Sequence, residues 1–146
     1  MSVSGDAAIC ALGFDVGARR TGVAVGNTLS GTARPLEVVE MRNGEPDWSR
    51  LDRLLAEWNP QQLVVGEPLT LEGDTQPAAE RARGFARRLR ARYGLPVAMV
   101  DERSSSREAD RRFAQARRDG HARRSHATQL DAMAAQIILE RWLAGS

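Results

Sequence analysis

Three acidic residues, Asp15, Glu102 and Asp131, are spaced so that a folded sheet and a helix packed on it could bring them together. Asp15 closes an apolar run, Cys10 to Phe14, and a second apolar run, Val23 to Val25, follows the intervening Gly17 to Gly22. A carboxylate on so apolar a strand loses hydration and needs a cation or hydrogen bonds in return. Turn-capping explains it less well, because Asp15 lies two residues before the first loop glycine, and Gly17 and Gly22 already offer a permissive backbone. Three carboxylates in one site repel one another unless divalent cations neutralise them. With no Cys or His nearby, the hard ions Mg²⁺ or Mn²⁺ suit the set better than zinc. Two such ions about 4 Å apart can activate water on one side of a phosphodiester and stabilise the leaving oxygen on the other. Arg19, Arg20 and Arg103 are placed to hold a nucleic-acid backbone beside them.

Each acid also has a purely structural explanation. Thr128 and Asp131 match a helix capping box, and Asp101-Glu102-Arg103 could be a solvated strand end. Strand alternation sets Ala98, Val100 and Glu102 on one face and Val97, Met99 and Asp101 on the other, so only one of Asp101 and Glu102 faces a shared site; Glu102 is favoured.

The elements that must position these residues follow from periodicity. Two strands flank the Gly17–Gly22 turn, a third runs from Ala33 to Met41 with an interruption near Pro35, and Asn43 to Pro46 reads as a loop. Asp47 is a plausible N-cap for a helix with Trp48, Leu51, Leu54, Leu55 and Trp58 on one stripe, stopped at Asn59-Pro60. Leu63 to Val65 is a buried strand, and the loop from Gly66 to Pro77 carries Glu67, Glu72 and Asp74. A helix from about Ala78 to Tyr93 turns Ala82, Phe85, Ala86 and Leu89 inward and arginines outward. Val97 to Val100 is the fifth strand, and Ser105 with Glu108 caps an Arg-rich helix. A basic connection over 119–124 precedes a last helix, from about Thr128 to Leu143, on which Asp131 shares a face with Ala135 and Ile138.

The order βββαβαβα predicts an α/β fold of ribonuclease H-like type. Its five-stranded mixed sheet would be a three-stranded antiparallel meander plus two parallel strands, flanked by helices. The 146 residues, 42% hydrophobic and 27% charged, suit a single domain over 1–146. No apolar stretch is long enough to span a bilayer and the N-terminus has no signal-peptide character, so a cytoplasmic protein without a membrane partner is expected. Cys10 reads as a small core residue, and His121 and His126 as solvated residues. Residues 81 to 124 hold fourteen arginines against five acids, while the remainder holds seven against fourteen. The basic segment is thus a candidate polyanion-binding surface, with a solvated helix face as the ordinary alternative.

Several segments, taken in order, carry a family resemblance: residues 13–26 (GFDVGARRTGVAVG), 31–35 (GTARP), 64–69 (VVGEPL), 101–103 (DER) and 131–135 (DAMAA). They resemble successive motifs of the YqgF/RuvX family of pre-16S rRNA nucleases, which are homologues of Holliday junction resolvases. The resemblance spans almost the whole chain. It implies a ribonuclease H-like, metal-dependent nuclease of the bacterial cytoplasm that trims the 5′ end of 16S rRNA, with structured RNA and ribosomal precursor particles as partners. Asp15, Glu102 and Asp131 match the family's acidic motifs. Glu67 departs from the pattern, standing where an apolar residue is usual, and is a candidate fourth acid. Ser104 to Ser106 replace a Leu-Ser/Thr-Thr run, and the stretch 125–128 lacks a lysine often found there.

Other functional classes stay open. Branched DNA is the alternative substrate, as for a Holliday junction resolvase, and a non-catalytic RNA-binding or transcription-associated module is the alternative without chemistry. The Asp15 hairpin also resembles the phosphate loop of the actin and sugar-kinase group, but a chain this short has no second lobe to close over nucleotide.

Overall fold

The computed structural model describes residues 8–68, 77–101 and 126–145. Its elements are β1 (Cys10–Val16), β2 (Arg20–Asn27), β3 (Thr32–Arg42), β4 (Glu45–Pro46), α1 (Trp48–Trp58), β5 (Gln62–Glu67), α2 (Pro77–Tyr93), β6 (Val97–Asp101) and α3 (His126–Gly145). The strands form one mixed sheet in the order β4-β3-β2-β1-β5-β6. β1, β2 and β3 make an antiparallel meander, and β5 and β6 extend it in parallel beyond β1. This is the expected ribonuclease H-like arrangement, with six strands where five were expected.

The sixth strand comes from the segment expected to be a loop. Met41 pairs with Pro46 and Arg42 with Glu45 across a two-residue turn. Both turn residues have positive φ, Asn43 at 52° and Gly44 at 79°, the backbone of a type I′ hairpin that Asn-Gly sequences favour. Pro35 does not break β3. Pro35 pairs with Ala24 and Glu37 with Val23, which leaves Leu36 as the extra residue of a bulge. Asp47 caps α1 as expected, its side chain accepting a hydrogen bond from the Arg50 amide. Asn59 ends that helix in the left-handed conformation at φ 46°.

The sheet has two differently built faces. Leu12, Phe14, Val16, Val23 and Val25 point toward α1 and α2, where they pack with Leu51, Leu54, Phe85 and Leu89. Phe14 and Phe85 meet edge to face with ring centroids 5.5 Å apart. Cys10 packs at the margin of this core, as expected, and burial raises its thiol pKa. The opposite face is thinner. Ala11, Ala24 and Val64 meet Ala135, Ile138 and Leu139 of α3, and Gly13 and Gly22 supply no side chain. Small residues on both partners let α3 lie almost on the sheet backbone.

α3 starts at His126, two residues before the expected Thr128. Thr128 is therefore inside the helix and cannot be its N-cap, so the capping-box explanation of Asp131 falls away. The expected capped helix after Ser105, Glu72 and Asp74, His121, and the connection 119–124 lie outside the described residues.

Candidate nuclease site

Asp15 is the second-to-last residue of the central strand β1 and is half-buried. Ala11 belongs to the α3-side cluster, and Gly13 faces Leu139 and Ala135, so alternation turns Asp15 toward α3. Directly across the antiparallel ladder from Asp15 is Gly22. A Cβ built on Gly22 would lie 2.0 Å from the carbonyl oxygen of Asp131, 2.4 Å from its carbonyl carbon and 2.9 Å from the Ala132 nitrogen. The first half of α3 thus rests on the strand position beside Asp15. The Asp131 backbone is thereby carried over the ladder partner of Asp15, and what lets it come so close is a glycine.

Gly22 and Gly17 were expected to serve the turn through backbone freedom. Neither has positive φ; among the described glycines that conformation belongs to Gly31, Gly44 and Gly94. Gly17 instead admits the Arg20 carbonyl, 2.5 Å from where its Cβ would stand, and Gly22 admits α3. The hairpin tip is also tied laterally, since the Met41 amide donates to the Arg19 carbonyl at 2.8 Å.

The structure separates the other acids by face. In β6, Val97 and Met99 pack on the α1/α2 side and Val100 on the α3 side, so Asp101 falls on the face opposite Asp15. The same alternation applies to β5, where Leu63 and Val65 face α1 and α2. Glu67 follows on that side, and both Nε and Nη2 of Arg83 from α2 bind its Oε2. Glu67 is therefore held in an ion pair with Arg83 on the face opposite Asp15. Glu102, the favoured third acid, and Arg103 lie outside the described residues. The last described residue of β6 is anchored by α3, for Arg141 donates to the Asp101 carbonyl at 3.0 Å.

Arg20 does something the sequence did not reveal. Its Nε donates to Asp131 Oδ2 at 2.7 Å, with the two side chains 42% and 27% exposed. The Arg19 side chain is exposed at the hairpin tip. The described part of the basic segment, in contrast, is largely neutralised internally. On α2, Arg83 pairs with Glu67 and Glu80, Arg88 with Glu45 and Arg92 with Asp52, while Arg90 donates to the Val97 carbonyl. This helix is also on the far face from Asp15. In the described part of α2, Arg83, Arg88, Arg90 and Arg92 staple the fold.

Asp15 and Asp131 offer carboxylate oxygens, donors of the kind a hard divalent ion takes, and one oxygen of Asp131 is held by Arg20. No group of three metal-ligating side chains occurs among the described residues. A cleft lined by Cys10, Asn27, Thr32, Arg34 and Trp58 lies at the start of β1, roughly 16 Å along the strand from Asp15, and is separate from the acids. No helix among the described residues is long and apolar enough to cross a membrane.

Comparison with known proteins agrees with this fold. A Xanthomonas oryzae pv. oryzae protein named "Putative pre-16S rRNA nuclease" is 59% identical over 133 residues, covering 91% of this chain and 86% of its own length. A Xanthomonas campestris pv. campestris protein of the same name is 58% identical over 132 residues, covering 90% and 85%. Among solved structures, Thermus thermophilus RuvC matches 94% of this chain and 95% of its own at a TM-score of 0.51 and 20% identity. The fowlpox virus Holliday junction resolvase matches 94% and 100% at 0.53 and 16%. At those identities the structural matches speak for the fold, which is the one described above. The family model for RuvX, described as Holliday junction resolvase, matches residues 9–145. Asp15, Gly22 and Asp131 all lie within that span, and the chain belongs to the RuvX family of nucleases.

Proposed function

We propose that residues 1–146 form a single nuclease domain that hydrolyses phosphodiester bonds with a divalent metal, Mg²⁺ or Mn²⁺, and processes the 5′ end of pre-16S rRNA in the cytoplasm. The observation that carries this reading is the seating of Asp131 over Gly22, the ladder partner of Asp15. The close seat carries Asp131 to the strand position beside Asp15, and acids brought near one another call for a cation. The relatives' name supplies the RNA substrate, and ribosomal precursor particles are the natural setting for it.

In this mechanism Asp15, Glu102 and Asp131 hold the metal. A divalent ion bound there supplies Lewis acidity to the phosphodiester and lowers the pKa of a water that can attack it. Asp15 is the fixed member, because its strand is central and hydrogen-bonded on both sides. Asp131 sits on the helix and is placed by the close contact at Gly22. Arg19, Arg20 and Arg103 orient the nucleic-acid backbone, contributing position and not sequence preference.

The family description favours a second substrate, four-way DNA. Cleavage of a 16S precursor fragment and of a four-way junction, each with Mg²⁺, Mn²⁺ or EDTA, separates the two. Asp15→Asn should preserve the fold, read by circular dichroism, and abolish metal-dependent cleavage. Normal cleavage by that variant would remove Asp15 from the site. Binding without cleavage by the wild type under all metal conditions would favour a non-catalytic nucleic-acid-binding module.

A further inference from the structure

Arg20 holds a position that a substrate-binding arginine does not require. It is the first residue of β2, on the same face as Gly22 and Ala24 and therefore on the α3 side. Its ladder partner on β3 is Glu40. It thus stands between two acids, Glu40 beside it and Asp131 above it, and it bonds to the second through Nε. Among the described residues this pair is monodentate. Elsewhere in the chain, Arg92 uses both Nε and Nη2 on Asp52, and Arg83 uses two nitrogens on Glu67. Arg20 therefore engages one carboxylate oxygen while its terminal Nη groups have no hydrogen bond to any described residue.

We propose that Arg20 is the resident counter-ion of Asp131 and competes with the catalytic metal for its Oδ2, so that metal loading frees this guanidinium to bind the phosphate of the substrate. The inference rests on the proposed metal site at Asp15 and Asp131. Its physical basis is exchange of one cation for another. In the metal-free protein Arg20 offsets the repulsion between Asp131 and Asp15, which share the ground around Gly22. A dication arriving at the same oxygen displaces a pair that is substantially exposed, and exposed ion pairs are weak. The released guanidinium is planar and suits bidentate phosphate contact, and it now sits next to added positive charge, which disfavours its return to the carboxylate. Metal and nucleic acid are then linked, each strengthening the other's binding through one side chain.

The test measures Mn²⁺ binding to the full chain by the electron paramagnetic resonance signal of free Mn²⁺, with no substrate present. Arg20→Gln keeps a polar side chain of similar reach but no charge, and should bind Mn²⁺ about two- to fivefold tighter than wild type. Asp15→Asn, measured alongside, should weaken Mn²⁺ binding severely. Unchanged or weaker Mn²⁺ binding by Arg20→Gln, with the Asp15→Asn loss intact, overturns this inference and leaves the metal site standing. No Mn²⁺ binding by wild type, or none lost in Asp15→Asn, overturns the metal site and the inference with it. A second measurement reads the linkage: binding of a labelled RNA hairpin in Ca²⁺ and in EDTA. Arg20→Gln should lower affinity about threefold or more in Ca²⁺ and much less in EDTA. An equal loss in both conditions would make Arg20 an ordinary phosphate contact and refute its release by metal.

Discussion

Replacing Gly22 by alanine tests the contact on which the site depends. The added Cβ would stand 2.0 Å from the Asp131 carbonyl oxygen and 2.4 Å from its carbonyl carbon. Both obstacles are main-chain atoms inside α3, so no side-chain rotation relieves the clash. Either the helix retreats or β2 does, by on the order of 1 Å, to restore normal contact. β2 is held between β1 and β3, so the helix is the softer partner. Its retreat loosens the neighbouring contact at Gly13, which the Ala135 carbonyl and Leu139 approach closely, and stretches the Gln136 bond to the Ala33 carbonyl at 3.0 Å. Overpacking of this kind costs roughly 1–3 kcal/mol. In a chain of this size that lowers the melting temperature by about 3–10 °C. The effect on chemistry should be larger, because misplacing a reacting group by about 1 Å can cost on the order of 100-fold in rate.

Gly26→Ala gives the matched control for this experiment. Its Cβ would meet the Thr32 carbonyl at 2.6 Å and the Ala33 Cβ at 3.0 Å, a similar clash at the opposite end of β2 from Asp15. Both variants should melt lower than wild type. Turnover measured well below both midpoints should fall only in Gly22→Ala. An unchanged melting temperature for Gly22→Ala would refute the close approach of helix and strand. A lowered one with full turnover would refute the claim that Gly22 sets the carboxylate geometry.

Three further outcomes follow from single observations. Gly84→Ala should stabilise the protein by about 0.5–1 kcal/mol in a thermal or denaturant melt, because Gly84 is inside α2 and its Cβ would meet only Arg87 Nη2, at 3.7 Å. Gly44→Val should destabilise by at least about 1–2 kcal/mol in the same assay, since Gly44 has φ 79° with open space around it, leaving backbone strain as the whole effect. Acid unfolding should report Asp52, whose carboxyl is drawn down to about 2 by hydrogen bonds from Arg92 and then Tyr93. Its ionised form is the one the fold stabilises, so the contribution is complete above the unfolded value near 3.9 and disappears as pH falls toward about 2. Asp52→Asn should therefore flatten the stability curve between about pH 4 and pH 2, and an unaltered curve would refute the assignment.

Much of this fold could be read from the sequence because its signals are local. The stripe of Leu51, Leu54 and Leu55 behind Asp47 encodes a capped helix, and the apolar runs on either side of the Gly17–Gly22 turn encode a hairpin. The error at Asn43-Gly44 was also over a local signal, an Asn-Gly pair read as a loop when it closes a hairpin. What could not be read locally was the meaning of residues whose partners are distant in the chain. Gly22 looks like turn chemistry until a helix more than 100 residues later is seen resting on it. Arg20 looks like a solvent-exposed phosphate ligand until the same helix supplies Asp131.

Glu67 shows why placing acids at strand ends is insufficient to define a site. It ends a strand adjacent to β1, as a catalytic acid in this fold would, and sequence position alone made it a candidate. Two further facts decide against it. Side-chain alternation from Leu63 and Val65 carries it to the α2 face, and α2 presents Arg83 there to neutralise it. Asp15 differs in the first respect, since it lies on the α3 face and the Asp131 backbone is seated over its ladder partner Gly22, a position that has no side chain. A carboxylate on the wrong face would have to rotate through the sheet to contribute, which the hydrogen-bonded ladder forbids. The chemistry of the site is therefore selected by strand parity first and by proximity second.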